Sequence, residues 1–278
     1  MKTSIHENGW TVLVHGDVRD LTAEDMVQVG KMLSTNMVVV FPDQIDITPE
    51  EQLICTDRIG HTVKNRGSYK VHESIGIIPG VARVTGRKND KGEPGLFGHT
   101  SALEWHANQA SNKERKSIVW MYGAEGMEGS RTSFINMIEV YKSLPNNLKK
   151  AIENLKCYFG YEAGRYSTSP YFKEHVNKDN LFDLVMTTTA GVTGLYYPFH
   201  QVFGMDGLSE SEFQEVHQEL IHHIVKEEFT YHHDWVDGQI VLSDQWLSLH
   251  KRWEFDRMEE RVLHRIALDY SNVYSSYP

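Results

Sequence analysis

The sequence predicts an α+β fold, mainly β with flanking helices, and three observations carry the prediction. Short β-rich runs punctuated by Gly, Pro and Asn-Asp turn signals spread over most of the chain. Helical periodicity gathers in an early block and in two later insertions, near 135–155 and 208–229. Strand and helix patterns do not alternate as a parallel βαβ sheet requires, and there is no glycine-rich phosphate loop. An antiparallel β core with helices packed around it follows.

Taken in order, "WTVLVHG" reads as a strand and "TAEDMVQVGKMLSTN" as a helix, with a threonine cap, an acidic first turn and apolar residues at helical spacing. "MVVVFPD" returns to strand, and "ITPEEQLICTDRIG" repeats the helix signal with Thr48 as N-cap and Pro49 at the first helical position. From "IPGVARVTGRKNDKGEPG" onward the texture is that of short strands and turns, and 86–95 is polar enough to read as a mobile loop. "INMIEVYKSLPNNLKKAIENL" and "SESEFQEVHQELIHHIVKEEF" are the helical insertions, and "DGQIVLSDQWLSLH" and "ERVLHRIALDY" close the chain as strands. No repeat, low-complexity segment or boundary divides the sequence, so a single domain over 1–278 is expected.

Composition narrows the function classes. With 40% hydrophobic and 24% charged residues and no apolar run of membrane-spanning length, the expectation is a globular protein with no membrane role. "MKTSIHENGW" lacks the apolar centre of a signal peptide, and two cysteines, Cys55 and Cys157, make no disulfide framework, which points to the cytoplasm. A net charge of -10 opposes binding to a phosphate backbone, so no nucleic-acid role is expected. Small-molecule chemistry is the expectation, with homo-oligomerisation left open.

The sequence has 15 histidines, so combinations matter more than any one of them. A non-heme iron(II) site takes two histidines and one carboxylate on a single face. On a strand, residues i and i+2 point the same way, so His-x-Asp supplies two adjacent ligands and a distant histidine the third. In "LEWHANQAS", His106 and Asn108 have that spacing, but an amide stands where a carboxylate belongs. His250 ends the run "IVLSDQWLSLH", 250 − 106 = 144 residues later. Arg261 and Arg265 follow His250 by 11 and 15 residues, and positions i and i+4 share a face on a strand or a helix. A guanidinium fork suits a carboxylate. The plainer reading is a pair of surface ion pairs with Glu259, Glu260 or Asp269.

Those residues carry a resemblance. The chain resembles the taurine dioxygenase family of iron(II)- and 2-oxoglutarate-dependent oxygenases, in family order, through "MVVVFPDQIDITPEEQLICTDRIG", "EWHANQA", "GSRTSFINMIEVYKSLP" and "WVDGQIVLSDQWLSLHKRWEFDRMEERVLHRIALDY". The resemblance implies a double-stranded β-helix, or jelly roll, with iron(II) at its open end and 2-oxoglutarate and O2 as cosubstrates. It implies His106 and His250 as metal ligands, with Asn108 in the third ligand's place. Arg261 and Thr132 fall where the family binds 2-oxoglutarate, and Arg265 where some members bind an anionic group of the substrate. Asp244 matches a residue read as structural, and "GLYYPFH" resembles the aromatic strand that lines the family's pocket. Arg131 and Arg165 are further candidate anion anchors.

Asn108 leaves the chemistry open. Its amide oxygen could ligate in a weakened oxygenase site, or it could stand aside so that chloride completes the sphere, as in the family's halogenases. It could also be an introduced Asp→Asn change, or mark an iron-free relative. Its size favours an oxygenase over a halogenase, where Gly or Ala is expected. The alternative from another class is a catalytically inactive jelly-roll binding protein, against which the retention of both histidines and Arg261 argues. A hydrolase finds no Gly-x-Ser-x-Gly elbow. The literal His-x-Asp of "YHHDW", His232 and Asp234, lies only 16 to 18 residues before His250 and reads as an edge or surface strand, while His222 and His223 read as partly exposed helix residues.

Overall fold

The computed structural model describes residues 1–62, 76–113, 116–159 and 181–278. The larger of its two principal sheets runs in the order β1 (Lys2–Ile5), β2 (Val12–His15), β3 (Val38–Phe41), β15 (Ile240–Asp244), β7 (Ile118–Glu125), β17 (Val262–Leu268), β5 (Val81–Val84), β4 (Gly76–Ile78). The smaller runs β14 (Thr230–Asp234), β8 (Arg131–Asn136), β16 (Ser248–Arg252), β6 (Leu103–His106). Strand pairings in both are antiparallel except β2 with β3. A three-stranded sheet of β9 (Lys156–Phe159), β10 (Leu181–Asp183) and β13 (Val202–Met205) and a hairpin of β11 (Val185–Thr187) and β12 (Thr193–Leu195) complete the strands among the described residues.

The central strands of the larger sheet read as unbroken apolar runs because both of their faces are covered. Val38, Val40, Val119, Met121 and Val241 pack into the space between the sheets, where they join Phe134 and Leu249 of the smaller sheet. Val39, Phe41, Trp120, Leu242 and Ile266 belong instead to a second apolar cluster with Met26, Val29 and Leu33. Those three residues lie on α1 (Ala23–Asn36), which starts at a capping box of Thr22 and Asp25. Helix α2 (Pro49–Asp57) has the same device in Thr48 and Glu51, with Pro49 in its first turn. No helix among the described residues is long and apolar enough to cross a membrane.

The first insertion is two helices, not one. Helix α3 (Met137–Ser143) stops at Leu144, whose ψ of 139° is the extended conformation that a following proline imposes, and α4 (Asn146–Ile152) begins after Pro145. The second insertion holds α5 (Glu210–Ile224), capped by Ser209 and Glu212. On α5, His222 is exposed but His223 is buried, against the expectation for the pair, and the Oγ of Ser143, 2.9 Å from its Nε2, satisfies the buried ring. Segment 86–95 is irregular but held at its start, where the N–H of Gly86 donates to the carbonyl oxygen of Met258 at 2.6 Å and the Arg87 guanidinium pairs with Glu125 and donates to the carbonyl oxygens of Glu259 and Glu260.

Candidate active site

The smaller sheet brings the two histidines together. In the β16–β6 ladder His250 is the direct partner of His106, and their ring centroids are 4.2 Å apart. Nδ1 of His106 lies 2.6 Å from the carbonyl oxygen of Glu104. A carbonyl only accepts, so Nδ1 carries the proton and Nε2 keeps its lone pair, the arrangement of a metal-ligating histidine. Burial holds both imidazoles neutral: His106 is pushed down to about 4, and His250 well below its ordinary value, with the nearby Arg265 guanidinium adding to both shifts. Two neutral nitrogen donors side by side fit a divalent cation.

The third ligand position does not match that fit. β6 ends at His106, so Asn108 sits past the strand in a turn rather than on the i+2 strand position the spacing predicts. It still reaches the site, because its Nδ2 lies 3.2 Å from Nε2 of His250. Its side chain therefore offers that histidine an N–H, not an oxygen. Among the described residues no group of three or more His, Cys, Asp or Glu could hold a metal.

Behind the histidines lies a small pocket of about 50 Å³, lined by Asn108, Thr132, Arg252, Arg261 and Arg265 together with both histidines. Arg261 precedes β17, and Leu263 and Arg265 follow at period 2 on the same inward face, while His264 points the other way to Gln52. Arg261 is 2% exposed, and the one hydrogen-bond partner of its guanidinium among the described residues is the thioether of Met258, 3.7 Å away, with Nε unpartnered. Burial and the Arg252 charge push it down to about 9. The surface ion pairs considered above are not its role: Asp269 pairs with Lys116, and Glu260 with Arg257. Gly126, at φ +63°, lets the next turn approach, since a Cβ there would lie 2.5 Å from the carbonyl oxygen of Glu260. Thr132 accepts a hydrogen bond from Nε1 of Trp235 at 2.9 Å, which leaves its hydroxyl proton for an acceptor in the pocket.

A larger cavity of about 780 Å³ opens outward from the same histidine face and shares Phe97, Leu103, His106 and Asn108 with the inner pocket. Trp105, His99, His200 and Gln201 complete much of its wall. The "GLYYPFH" segment contributes His200 and Gln201, but Tyr196 and Tyr197 are wholly buried in the core and do not line it. Arg131 is tied at the surface to Asp234 and lines neither cavity, and Arg165 lies outside the described residues. His232 and Asp234 do not converge: β14 is an edge strand, Nδ1 of His232 lies 2.6 Å from Ser133 Oγ, and its Nε2 pairs with Glu227.

Two residues of this site carried no role in the sequence reading. Arg252 shares a strand face with His250, and its buried guanidinium donates to the carbonyl oxygens of Phe97, His99 and Ser101 at 2.6, 2.7 and 2.6 Å, fixing the wall between the cavities. The i+2 spacing from His250 was the available signal. Gln245 accepts from the backbone N–H of Asn108 at 3.1 Å and from its Nδ2 at 2.9 Å. Asp244, fully buried, accepts from the N–H groups of Trp246 and Leu247, both at 2.7 Å, and shapes the turn into β16.

Known proteins share this fold. The curated relatives include pentalenolactone F synthase of Streptomyces avermitilis, 23% identical over 91% of this chain and 87% of that protein. (S)-phenoxypropionate/alpha-ketoglutarate-dioxygenase of Sphingobium herbicidovorans is 26% identical over 84% and 82%. Among solved structures, AAD-2 in complex with Mn(II) and N-oxalylglycine superposes with a TM-score of 0.74 at 21% identity, covering 96% of this chain and 97% of that one. A taurine dioxygenase from Burkholderia xenovorans gives 0.71 at 18% identity, covering 93% and 85%. These structural likenesses establish the jelly-roll fold. The family model for the taurine catabolism dioxygenases TauD and TfdA matches residues 10–267, and the chain therefore belongs to that family of non-heme iron, 2-oxoglutarate-dependent oxygenases.

Proposed function

We propose that this chain oxidises a small molecule with iron(II), 2-oxoglutarate and O2, and that His106 and His250 hold the metal. The buried guanidinium of Arg261 carries this reading: a cation with a thioether as its one polar partner among the described residues, beside two neutral histidines, is arranged for an anionic ligand that also reaches the metal. Arg261 and Thr132 would bind the distal carboxylate of 2-oxoglutarate. The bound iron would supply the redox chemistry; the protein's part is to hold cosubstrate and target carbon together and to keep water out.

The outer cavity would take the substrate, delivered to the face that His106 and Asn108 share with the inner pocket. Arg265 would meet a small polar or anionic substrate at the junction, in the manner suggested by the phenoxypropionate dioxygenase among the relatives. Incubation of the iron-loaded protein with 2-oxoglutarate and a panel of phenoxyalkanoates, sulfonates and terpenoid lactones should yield succinate in step with O2 uptake for at least one class. Absence of succinate above the protein-free control across the panel, with iron bound, would count against the oxygenase reading.

One observation favours halogenation as a second reading. Asn108 presents an N–H toward His250, which leaves one metal position without a protein oxygen and open to chloride. Product mass with and without chloride separates the two.

A further inference from the structure

The orientation of Asn108 is set by a neighbour whose own orientation is fixed by the main chain. Gln245 is 0% exposed. Its Nε2 lies 3.2 Å from the carbonyl oxygen of Asp244, 3.4 Å from that of Ser243 and 3.0 Å from the Ser243 hydroxyl. Its Oε1 receives the backbone N–H of Asn108 at 3.1 Å. Carbonyl oxygens only accept and a main-chain N–H only donates, so turning this amide over would set oxygen against oxygen at one end and N–H against N–H at the other. The atom of residue 108 that lies 2.9 Å from Oε1 must then be a donor, which an amide nitrogen is and an ionised carboxylate is not. The second hydrogen of that NH2 group points to Nε2 of His250, 3.2 Å away.

We propose that Gln245 is a positioning residue that requires a hydrogen-bond donor at position 108 and turns the Asn108 amide so that its N–H covers Nε2 of His250, where a metal has to displace it. The last clause rests on the reading of His250 as a metal ligand. The amide at 108 is thus part of a matched pair. An aspartate there would bring a carboxylate oxygen against the fixed Oε1 of Gln245, a loss the site would have to absorb before any gain in metal affinity. The histidine feels the same arrangement. A neutral ring that accepts at Nε2 carries its proton at Nδ1, which has no hydrogen-bond partner among the described residues, so the Asn108 N–H at Nε2 is what holds this tautomer.

The test uses the metal-free full chain labelled with 15N at histidine, as the parent and as Asn108→Ala and Gln245→Met. Long-range 1H–15N spectra should show His250 protonated at Nδ1 in the parent, and a shift toward Nε2–H in both variants. Manganese(II) affinity, followed by loss of the free-ion EPR signal, should rise roughly two- to tenfold in both, the worth of one hydrogen bond removed from the competition. Nε2 protonation in the parent, or one tautomer common to all three proteins, overturns the proposal. So does manganese affinity equal to or below the parent's in both variants. If manganese binds none of the three while the tautomer shifts as stated, the Gln245–Asn108 pairing stands and the metal reading of the site fails, which separates the two. Should Gln245→Met not fold, Gln245→Ala takes its place in both measurements, beside Asn108→Ala at a half-buried position.

Discussion

At the scale of single residues, Arg261 is the side chain the protein has the least structural reason to keep. It is a buried cation, pushed down to about 9 by burial, with a sulfur atom in place of a carboxylate partner. Its proposed use is to bind an anionic ligand. Replacing Arg261 with Ala should weaken 2-oxoglutarate binding by about 1.5–3 kcal/mol, the range for hydrogen bonds to charged groups. Anaerobic calorimetry on the metal-loaded protein measures this directly, and because the substitution removes a buried charge it should leave Tm unchanged or raised. Arg261 and Arg265 were legible in the sequence because i, i+2 and i+4 share a strand face whatever its exact ends. Gln245 was not, since its partner lies 137 residues away and only the closed sheet brings it into reach, while Arg252 carried the i+2 spacing from His250 as a signal although its partners, about 151 to 155 residues away, are set by the closed sheet.

At the scale of elements, the turn between β15 and β16 sets where His250 stands. Asp244 organises it, with Oδ1 accepting two main-chain N–H groups and Oδ2 accepting the Tyr270 hydroxyl at 3.0 Å. Burial outweighs those bonds and raises its carboxyl to about 6. An unfolded aspartate titrates near 4, so between about 4 and 6 the folded state binds the extra proton. The stability this confers is fully present below about 4 and is lost as pH rises through 6. Asp244→Asn, which keeps an oxygen for the two N–H groups, should flatten this part of the profile. Urea midpoints at pH 4.5 and 6.5 should differ less, by that contribution, in the variant than in the parent. Elements were legible where a cap or a period marked them, as for α1, α2 and α5. They were misread where a local break overrode the period: Pro145 divides the first insertion, and the chain leaves β6 before Asn108.

At the scale of the whole molecule, the candidate site is a product of two sheets closing on one core, with α1 covering the outer face of the larger. The apolar run "VVVF" read as a strand, but the covering of both its faces, and the positions at which the smaller sheet sets His106 against His250, depended on packing and pairing that no local pattern encodes. Helix α2 is tied to the end of β17 at Gly60, where a Cβ would lie 1.8 Å from the carbonyl oxygen of Asp269, and the N–H of His61 donates to the Asp269 carboxylate at 2.8 Å. Gly60→Ala should therefore cost at least about 2 kcal/mol in a denaturant titration, although the site lies elsewhere. The proposed function has His106, His250 and Arg261 together hold iron(II) chelated by 2-oxoglutarate. Its most direct test is the visible charge-transfer absorption of that chelate, recorded anaerobically while iron(II) and 2-oxoglutarate are added to the protein. The band should appear at one equivalent of each, vanish in His106→Ala and His250→Ala, and require much more 2-oxoglutarate in Arg261→Ala. A parent protein that shows no band, or a band that persists unchanged in both histidine variants, would contradict the account.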